Sequence, residues 1–502
     1  MISDQPAIVP AQSLVAVAWG PTRYEATAPF SPGIAIPEYP FKTHASPGGA
    51  NEVYATVRES LRLLKLDAAH FGQSEWNPLG EMVQPGQMVV LKPNFVRHFR
   101  ETQPGHDDCL VTHGSVIRAV LDYVYIALKG RGRIVIADAC HNDAEFDPIR
   151  QMAGLDEIQE FYRREAGFEV EVYDLRPEKA RKVNGVIVGH TKLAGDPAGY
   201  AKVNLGPHSA FAQVAHLCHL LYGAEYDTGE LRSHHHDEVH EYLISRTVLL
   251  ADCVISIPKL KTHKKTGITV SLKNLVGING NKNWLPHHRE GTPAQGGDQF
   301  ASDGLMRRLE RKSVAQFKRI FPLLGVLRPV VAGPIKAIGK RIFGDTNTDA
   351  IRSGNWYGND TTWRMVLDLN RILMYADAEG RLHDRRVRRL FTVVDGIVAG
   401  EGNGPLDPTA KPAGVIVTGA NPVAADLACA RVMGLDYQRI PLLCRAMDEH
   451  PLPLVDFGYS QVAACSNRPT CDKPLAQWQG PHLAFRPHFG WRGHIELHEG
   501  SV

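Results

Sequence analysis

The sequence is poor in cysteine, and its cysteines are not spaced for metal clusters. Eight cysteines are spread over 502 residues, and no two of them form a C-x-x-C pair. Such pairs supply the ligands of zinc ribbons and ferredoxin-type clusters, so we expect no iron–sulfur cluster. The low density also argues against a disulfide scaffold, because disulfide-stapled proteins are short and cysteine-rich. We expect reduced thiols in a cytoplasmic protein.

The chain also has little net charge and no long apolar run. Its formal net charge is +2, whereas nucleic-acid binders usually carry a strong basic excess, so we expect no nucleic-acid partner. No run of about eighteen uncharged apolar residues occurs, and the N-terminus lacks the basic start and apolar run of a signal peptide. With 43% hydrophobic and 22% charged residues, the composition is that of an ordinary globular protein.

Alternating strand and helix patterns predict the fold class. Residues 88–91 form a short apolar run typical of a buried strand, residues 114–128 have helical apolar spacing, and residues 132–137 predict another strand. This succession indicates βαβ units. We predict an α/β protein with a mostly parallel, doubly wound-like sheet, helices on both faces, and irregular and basic helical insertions. Further helices are predicted at 51–66, 361–378 and 421–434, and further strands at 254–257, 390–394 and 414–419.

Composition divides the chain into five parts. We predict an N-terminal arm at 1–50, a first core part at 51–300 with a His-rich insertion near 205–245, a basic amphipathic insertion at 301–360, a second core part at 361–445 and a C-terminal extension at 446–502.

The basic insertion suggests a surface role of its own. Between residues 305 and 342, ten lysines and arginines accompany a single glutamate, Glu310. This segment predicts peripheral attachment to an anionic membrane surface, at the inner face of the membrane. The alternative is that carboxylates from elsewhere in the fold neutralise it.

A cluster of cations follows the strand predicted at 254–257. The cluster and the helix-like segment after it contain Lys259, Lys261, His263, Lys264, Lys265, Lys273 and Asn274. Ammonium groups beside free N–H groups at a helix start form an anion site. Lys259, Lys273 and Asn274 are therefore candidate ligand-binding residues, as is Asn94 after the strand at 88–91.

Two residues of this loop are also candidate catalytic groups, Lys261 and His263. A crowded, desolvated lysine can have a lowered pKa and act as base or nucleophile. The alternative for the whole segment is a solvated basic loop.

Carboxylates and glycines form a second candidate group near residue 400. Asp395 and Glu401 flank a glycine-rich turn, where Gly402 and Gly404 would let the backbone approach a ligand. Asp395 and Asp426 are candidate ligands of a divalent cation, and Glu401 is a candidate for proton transfer. The alternative is that the glycines serve only a tight turn.

Histidines supply two further candidates. His113 lies at a predicted helix start and is either a catalytic group or a helix cap. His236 and His240 are four residues apart, so a helix would place them on one face as metal ligands. The alternative for this tract, residues 234–240, is a solvated loop.

Three stretches of the chain resemble the domain-of-unknown-function 362 (DUF362) family. They are VLKPN at 90–94 with TH at 112–113, IPKLKTH at 257–263 with SLKNLVG at 271–277, and VDGIVA at 394–399 with EGNGP at 401–405 and NPVAAD at 421–426. They occur in the family's order and span roughly residues 88–435. The resemblance implies an α/β domain with a shared site, but no known reaction. Some members carry a ferredoxin-like iron–sulfur segment, whose cysteines this chain lacks.

Together these patterns predict one crevice and one class of ligand. Ligands of open parallel sheets bind beyond the carboxyl ends of the strands, where Asn94, Asp138, Lys259 and Asp395 are expected. We predict an enzyme acting on an anionic small molecule, phosphorylated or carboxylated, and lipid-linked if segment 305–342 rests on a membrane. The alternative is a non-catalytic binding or assembly protein whose basic loop takes an acidic partner. The sequence assigns no reaction class.

Overall fold

Strands and helices alternate along the chain. A computed structural model describes residues 11–24, 27–42, 49–100, 107–183, 186–223, 228–303, 350–478 and 481–497. The strands in these ranges are β1 (Leu14–Trp19), β2 (Met88–Pro93), β3 (Arg133–Asp138), β4 (Val170–Asp174), β5 (Glu178–Val183), β6 (Val186–Lys192), β7 (Tyr200–Asn204), β8 (Leu221–Tyr222), β9 (His235–His236), β10 (Val239–Ser245), β11 (Cys253–Ile257), β12 (Lys259–His263), β13 (Gly267–Thr269), β14 (His288–Arg289), β15 (Arg389–Asn403), β16 (Asp407–Gly419) and β17 (Ala463–Ser466). The α-helices are α1 (Glu52–Leu63), α2 (Gly114–Leu128), α3 (Phe146–Met152), α4 (Leu155–Ala166), α5 (Gly229–His234), α6 (Arg246–Leu249), α7 (Ser271–Asn274), α8 (Thr362–Tyr375), α9 (Pro422–Met433) and α10 (Pro441–Cys444).

A ten-stranded sheet forms the centre of the described structure. Its strands run in the order β17-β1-β16-β15-β11-β2-β3-β4, with β12 and β13 attached beside β15. The neighbours from β15 to β4 are all parallel, whereas β16 runs antiparallel to both β15 and β1. The predicted α/β class with a mostly parallel sheet is confirmed.

The direction in which strands join this sheet reverses between β2 and β11. From β2 the chain adds β3 and β4 on one side, and later adds β11 and β15 on the other. Such a reversal opens a crevice at the carboxyl ends of the two neighbouring strands, where doubly wound folds bind ligands. Here the crevice lies beyond Pro93 and Ile257, the last residues of β2 and β11.

Alternating side chains of the sheet separate two hydrophobic cores. Val89 and Leu91 of β2 pack with α1 and α2 on one face, while Val90 belongs to the core of the other face with α8 and α9. Period-two alternation produces this division, because successive side chains of a strand point to opposite faces. Helices therefore cover both faces, and the helix predicted at 114–128 coincides with α2.

Both ends of the chain contribute strands to the main sheet. β1 lies within the predicted arm at 1–50, yet it is buried and pairs with β16 and β17. β17 in turn lies within the predicted extension at 446–502. These parts of the terminal segments therefore belong to the core, and the apolar run of β1 is the sequence signal for it.

The cation cluster at 259–263 is a strand rather than a loop. Pro258 ends β11, and β12 then pairs with β15 and β13. Lys259 and Lys261 are both 0% exposed, so the reading of this stretch as a solvated loop is wrong. Pairing on both edges buries its backbone, and the lysine stems fill space beside the sheet.

The His-rich insertion near 205–245 is ordered into small sheets. β7, β10 and β9 form one of them, and His240 pairs with His235 across a hairpin. His235 and His240 are buried, whereas His236 is exposed beside Asp237. The interpretation that a helix brings His236 and His240 to one face is therefore wrong. Within the described ranges, no three His, Cys, Asp or Glu side chains group as a metal site requires.

The basic segment 305–342 lies outside the described residues, so its surface role stays a prediction. Within the part of the chain that is described, none of the helices combines the length and the apolar composition that spanning a bilayer requires.

The N-cap of α9 provides a test of the fold. The Asn421 side chain accepts hydrogen bonds from the backbone N–H groups of Val423 (2.8 Å) and Ala424 (3.4 Å), and donates to the Leu454 carbonyl (2.9 Å). Asn421→Ala should therefore lower the free energy of unfolding by about 1–3 kcal/mol in urea titrations. Gln73→Ala, at an exposed side chain, is the control. Equal urea midpoints for the two variants would contradict this role.

Candidate functional site

One cavity lies at the reversal point of the sheet. It has a volume of about 360 Å³ and is bounded by the residues that follow β2 and β3, by the turn after β12, and by the segment from α7 to β14. The tip between β15 and β16 adds Pro405 and Leu406. This size lies within the range of small-molecule sites, roughly 300–1,000 Å³.

The lining of this cavity is strongly cationic. Its charged or titratable members are six lysines, four histidines, a cysteine and a single carboxylate: Lys92, Lys182, Lys264, Lys265, Lys273, Lys282, His141, His263, His287, His288, Cys140 and Asp138. Asparagines and a few apolar side chains complete the wall. The cavity therefore holds far more positive than negative charge.

The single carboxylate is already engaged by a lysine. Lys92 Nζ lies 2.8 Å from Asp138 Oδ1 and also donates to the Pro93 carbonyl and to Asn274 Oδ1. The other carboxylate oxygen of Asp138 accepts from the Phe95 N–H at 2.7 Å. Asp138 therefore neutralises Lys92, and Asp143 pairs with Lys182 at 2.8 Å. Among the described residues, Lys265, Lys273 and Lys282 form no ion pair with a carboxylate.

Gly277 is required beside this ion pair. A Cβ atom at this position would lie 1.8 Å from Asp138 Oδ1 and 2.5 Å from Lys92 Nζ. The Gly277 carbonyl also accepts from the Ala139 N–H at 2.8 Å. The glycine thus lets the segment after α7 pack directly on the ends of β2 and β3.

Among the described residues, two cavity lysines donate only to neutral carbonyl groups. Lys265 Nζ donates to the carbonyls of His287 (3.3 Å) and Ser353, and Lys282 Nζ donates to those of Val276 and Asn279 (3.0 Å each). Burial lowers the pKa of each lysine to about 7. Near neutral pH, both therefore exchange a proton readily.

Lys273 is less constrained than either of these. No described residue forms a hydrogen bond or an ion pair with its Nζ, although the residue lines the cavity. Burial and the nearby Lys92 ammonium lower its pKa to about 8, against the smaller opposing effect of Asp138.

The short helix that carries Lys273 is fixed at both ends. Asp426 accepts from the backbone N–H groups of Ser271 (2.8 Å) and Leu272 (3.0 Å), and burial raises the pKa of this carboxyl to about 8. Asn274 donates from Nδ2 to the Lys92 carbonyl and to Ser256 Oγ. The backbone position of Lys273 is thus determined by bonds that do not involve its own side chain.

The hydrogen bonds of two cavity histidines define their tautomers. His263 Nδ1 accepts from the Lys265 N–H (3.0 Å), so the neutral ring carries its proton on Nε2. His287 Nδ1 instead donates to the Leu285 carbonyl at 2.7 Å, which leaves Nε2 as an acceptor. Burial, with nearby lysines, holds the pKa of both rings well below the usual range. Both rings are therefore neutral at physiological pH.

Lys259, Asp395 and His113 lie in a separate, closed network. Lys259 Nζ donates to Asp395 Oδ2 (2.8 Å), to the Tyr24 hydroxyl (2.7 Å) and to the Val398 carbonyl (3.3 Å). Asp395 also accepts from the Tyr24 hydroxyl (2.6 Å) and from the His113 N–H (3.0 Å). All three ammonium hydrogens of Lys259 and both oxygens of Asp395 are used, and none of these residues lines the cavity.

The imidazole of His113 caps a helix and packs on an aromatic ring. Its Nδ1 accepts from the Ser115 N–H at the start of α2, and its ring stacks on Tyr24 with centroids 3.9 Å apart. Burial lowers the pKa of His113 to about 4. His113 thus occupies the N-cap position of α2, as the alternative interpretation expects. It does not line the cavity.

The remaining candidates support the strand beside the cavity. Lys261 Nζ donates to the Leu110 carbonyl (2.7 Å), and Glu401 binds Lys411 (3.0 Å) and the Arg486 N–H. The Gly402 carbonyl accepts from the Thr262 hydroxyl, and a Cβ at Gly404 would lie 1.8 Å from the Thr262 carbonyl. Gly404 therefore allows the segment after β15 to pack closely on β12, and Lys261, Glu401, Gly402 and Gly404 do not line the cavity.

The geometry does not support a cation site shared by Asp395 and Asp426. Asp395 is saturated by Lys259, Tyr24 and His113, and Asp426 by two backbone N–H groups of α7. Hard divalent cations need several free oxygen ligands around one point. Here the oxygens of each carboxylate already accept hydrogen bonds, and the two carboxylates accept them from different parts of the fold.

Thus four of the predicted site residues meet in the cavity: Asn94, His263, Lys273 and Asn274. Sequence analysis missed Lys92, Lys182, Lys282 and His287 as members of this group. Lys92 lies at the end of the strand that precedes the predicted site residue Asn94, so the same strand-end rule could have predicted it. Lys282 and His287 come from an aperiodic loop, and Lys182 from a strand outside the main sheet, so no sequence pattern marks them.

The comparisons with known proteins agree with the predicted resemblance. Residues 207–431 match the model of the domain of unknown function DUF362, which includes the second and third of the three resembling stretches. None of the curated proteins matches the chain. The chain is also similar to a crystal structure of a protein from Thermotoga maritima, a target of the Northeast Structural Genomics Consortium. That match has 13% identity and a TM-score of 0.29, and covers 75% of this chain but only 58% of the other.

Gly277→Ala should disturb the cavity wall, because the added methyl group would collide with the Lys92–Asp138 pair. We expect a loss of about 1–3 kcal/mol in the free energy of unfolding, as for other overpacked sites. Gly458→Ala is the control, because its nearest neighbour is 3.8 Å away and its backbone conformation suits alanine. Wild-type urea midpoints for both variants would refute the close packing at Gly277.

Lys273→Met should stabilise the ligand-free protein, because it removes a half-buried cation that has no partner among the described residues. We expect a gain of about 1–3 kcal/mol at neutral pH. The pKa of Lys273 is lowered to about 8, so below pH 8 the folded protein bears the full cost of the charge. The gain should fade as the pH rises from about 8 towards about 10.4, where the unfolded chain also loses the proton.

Urea titrations at both ends of this pH range measure the gain in the free energy of unfolding. The exposed Lys129→Met is the control, and equal effects in the two variants would contradict the account.

Proposed function

We propose that this protein is an enzyme that binds and transforms an anionic small molecule, phosphorylated or carboxylated, in the lysine-rich cavity. One observation carries the proposal: six lysines and four histidines line a cavity with one carboxylate, which is already paired with Lys92. Lys265, Lys273 and Lys282 are half-buried and have no carboxylate partner among the described residues. Such cations are costly, so a fold that keeps them is suited to a ligand that neutralises them.

The shape of the site favours a small molecule over an acidic protein surface. The cations lie inside a concave cavity at the reversal point of the sheet, not on a protruding face. Lys265, Lys273 and Lys282 lie on separate segments around it. Ammonium groups approaching from several sides suit a compact anion such as a phosphate or carboxylate. The alternative of a non-catalytic assembly protein has no comparable observation in its favour.

Groups suited to proton transfer lie in the same cavity. The pKa of Lys265 and that of Lys282 are lowered to about 7 by burial, which is close to the optimum for a general acid or base at neutral pH. His263 offers a neutral Nε2–H donor for a charge that develops on the ligand. The reaction class stays open.

A lipid-linked ligand and attachment to an anionic membrane through residues 305–342 belong to this proposal as extensions. These two extensions rest only on the sequence of this segment, which contains ten lysines and arginines. A cytoplasmic location at the inner face of the membrane would fit them.

Anion binding can be tested with inorganic sulfate, whose charge is constant between about pH 6 and about pH 9. Isothermal titration calorimetry should show the tightest binding near pH 6. The lysines with pKa values of about 7 to 8 are protonated there. Above these values binding must take up protons, so the affinity should fall by about tenfold or more by pH 9. Binding that is independent of pH, or no binding at pH 6, would contradict the proposal.

Lys273→Met should weaken sulfate binding by about 1–3 kcal/mol, because a charged hydrogen bond is lost. Lys129→Met keeps the same total charge as this variant but alters an exposed residue outside the cavity. It should bind as the wild type does. Equal weakening in both variants would show that sulfate responds only to net charge.

A further inference from the structure

Lys273 differs from the other cavity lysines in its bonding. Lys92, Lys182, Lys265 and Lys282 each donate to a carboxylate or to backbone carbonyls of described residues. Lys264 also has an interaction partner. Lys273 Nζ has none among the described residues, although Asp426 and Asn274 hold its helix in place. A fixed backbone that presents a free amino group to a cavity is the arrangement of a reacting group rather than of a structural one.

The surroundings of Lys273 define what could react with it. Lys265 and His263 lie close enough to Lys273 that, besides burial, the charge of its ammonium lowers the pKa of each of them. They can hold an anionic group of a ligand while another part of the same ligand faces the amine. The apolar side chains of Leu285 and Val276 line the same cavity.

We propose that Lys273 is a nucleophilic catalytic residue that forms an imine with a small carbonyl compound, whose carboxylate or phosphate is held by the neighbouring cations. This inference rests on the proposed function, because it assumes that anionic ligands enter the same cavity. It adds the chemical class of the substrate and the residue that attacks it.

The chemical step is balanced without a further reactant. The lone pair of the Lys273 nitrogen attacks the carbonyl carbon, and the carbon–oxygen π pair moves to oxygen to give a carbinolamine. A C=N bond then forms as the C–O bond breaks, and the oxygen leaves as water with the two hydrogens of the amine. Lys265, whose pKa is lowered to about 7, is suited to protonate the leaving hydroxyl and then to take back a proton from the nitrogen, so that the amine supplies both hydrogens of the water in the end.

The reactivity of Lys273 depends on how much of its amine is neutral. Burial lowers its pKa to about 8, whereas an exposed lysine stays near about 10.4. At neutral pH its neutral fraction is therefore larger by about two orders of magnitude. This difference distinguishes Lys273 from exposed lysines. The pKa values of Lys265 and Lys282 are lowered as well, but the Nζ atoms of these two lysines already donate to backbone carbonyls.

Reductive trapping tests this inference on the full-length protein. The probes are glyoxylate, a carboxylated aldehyde, and glycolaldehyde phosphate, a phosphorylated one, each with sodium cyanoborohydride at neutral pH. Intact-mass analysis and peptide mapping should place the reduced adduct on Lys273 about tenfold or more faster than on exposed Lys129. Excess sulfate should suppress it.

Lys273→Arg separates this inference from the proposed function, because arginine keeps the charge but cannot form an imine. The variant should still bind sulfate in calorimetry, which also shows that it is folded, but it should lose the adduct. Sulfate binding by the wild type without a Lys273 adduct from either probe overturns the imine and leaves the proposed function standing. An adduct that is equally fast on exposed lysines also overturns it. Failure of both sulfate binding and trapping overturns both proposals.

Discussion

The ion pair between Lys92 and Asp138 is the contact on which the cavity depends. It joins the carboxyl ends of β2 and β3, and its lysine also bonds to Asn274 of α7. Asn274 returns a hydrogen bond to the Lys92 carbonyl, and the missing side chain of Gly277 lets the next segment lie against the pair. The sheet, the short helix and the roof of the cavity are therefore one connected unit. Among the described residues of the lining Asp138 is the one carboxylate, so its pairing with Lys92 leaves Lys265, Lys273 and Lys282 without a negative partner in the cavity.

That positive charge opposes folding as long as the cavity holds no anion. Burial lowers the pKa of Lys265, Lys273 and Lys282 to about 7 or 8, which means that the folded state disfavours their charged forms. Core packing on both faces of the sheet must offset this cost. Many functional sites show the same conflict between stability and activity, because the groups that bind a ligand are poorly satisfied without it.

Most of the main sheet and its helices could be predicted from the sequence, because apolar periodicity and capping residues mark them directly. Residues 114–128 and Asn421 are examples. The strand at 259–263 could not be predicted as a strand, since two lysines and a histidine occupy three of its five positions. Only its pairing with β15 explains the burial of Lys259 and Lys261.

The candidate site was predictable from the cation cluster and the segment after it, which contain His263, Lys273 and Asn274, and from the rule that polar residues at strand ends line a crevice. This rule found Asn94, next to Lys92 at the end of β2. It failed for Asp395, because β15 does not end there but continues to Asn403. The carboxylate is therefore buried within the strand, where it binds Tyr24 from a distant part of the chain. Contacts of this kind join segments hundreds of residues apart, and no local pattern encodes them.

The most direct test of the central claim is a crystal structure of the protein in selenate, an anion of sulfate-like shape that is located by its anomalous scattering. The account predicts a selenate in the cavity, with an oxygen about 3 Å from Lys273 Nζ and with further contacts from Lys265 or His263. Selenate bound only at exposed lysines, with none in the cavity, would contradict it.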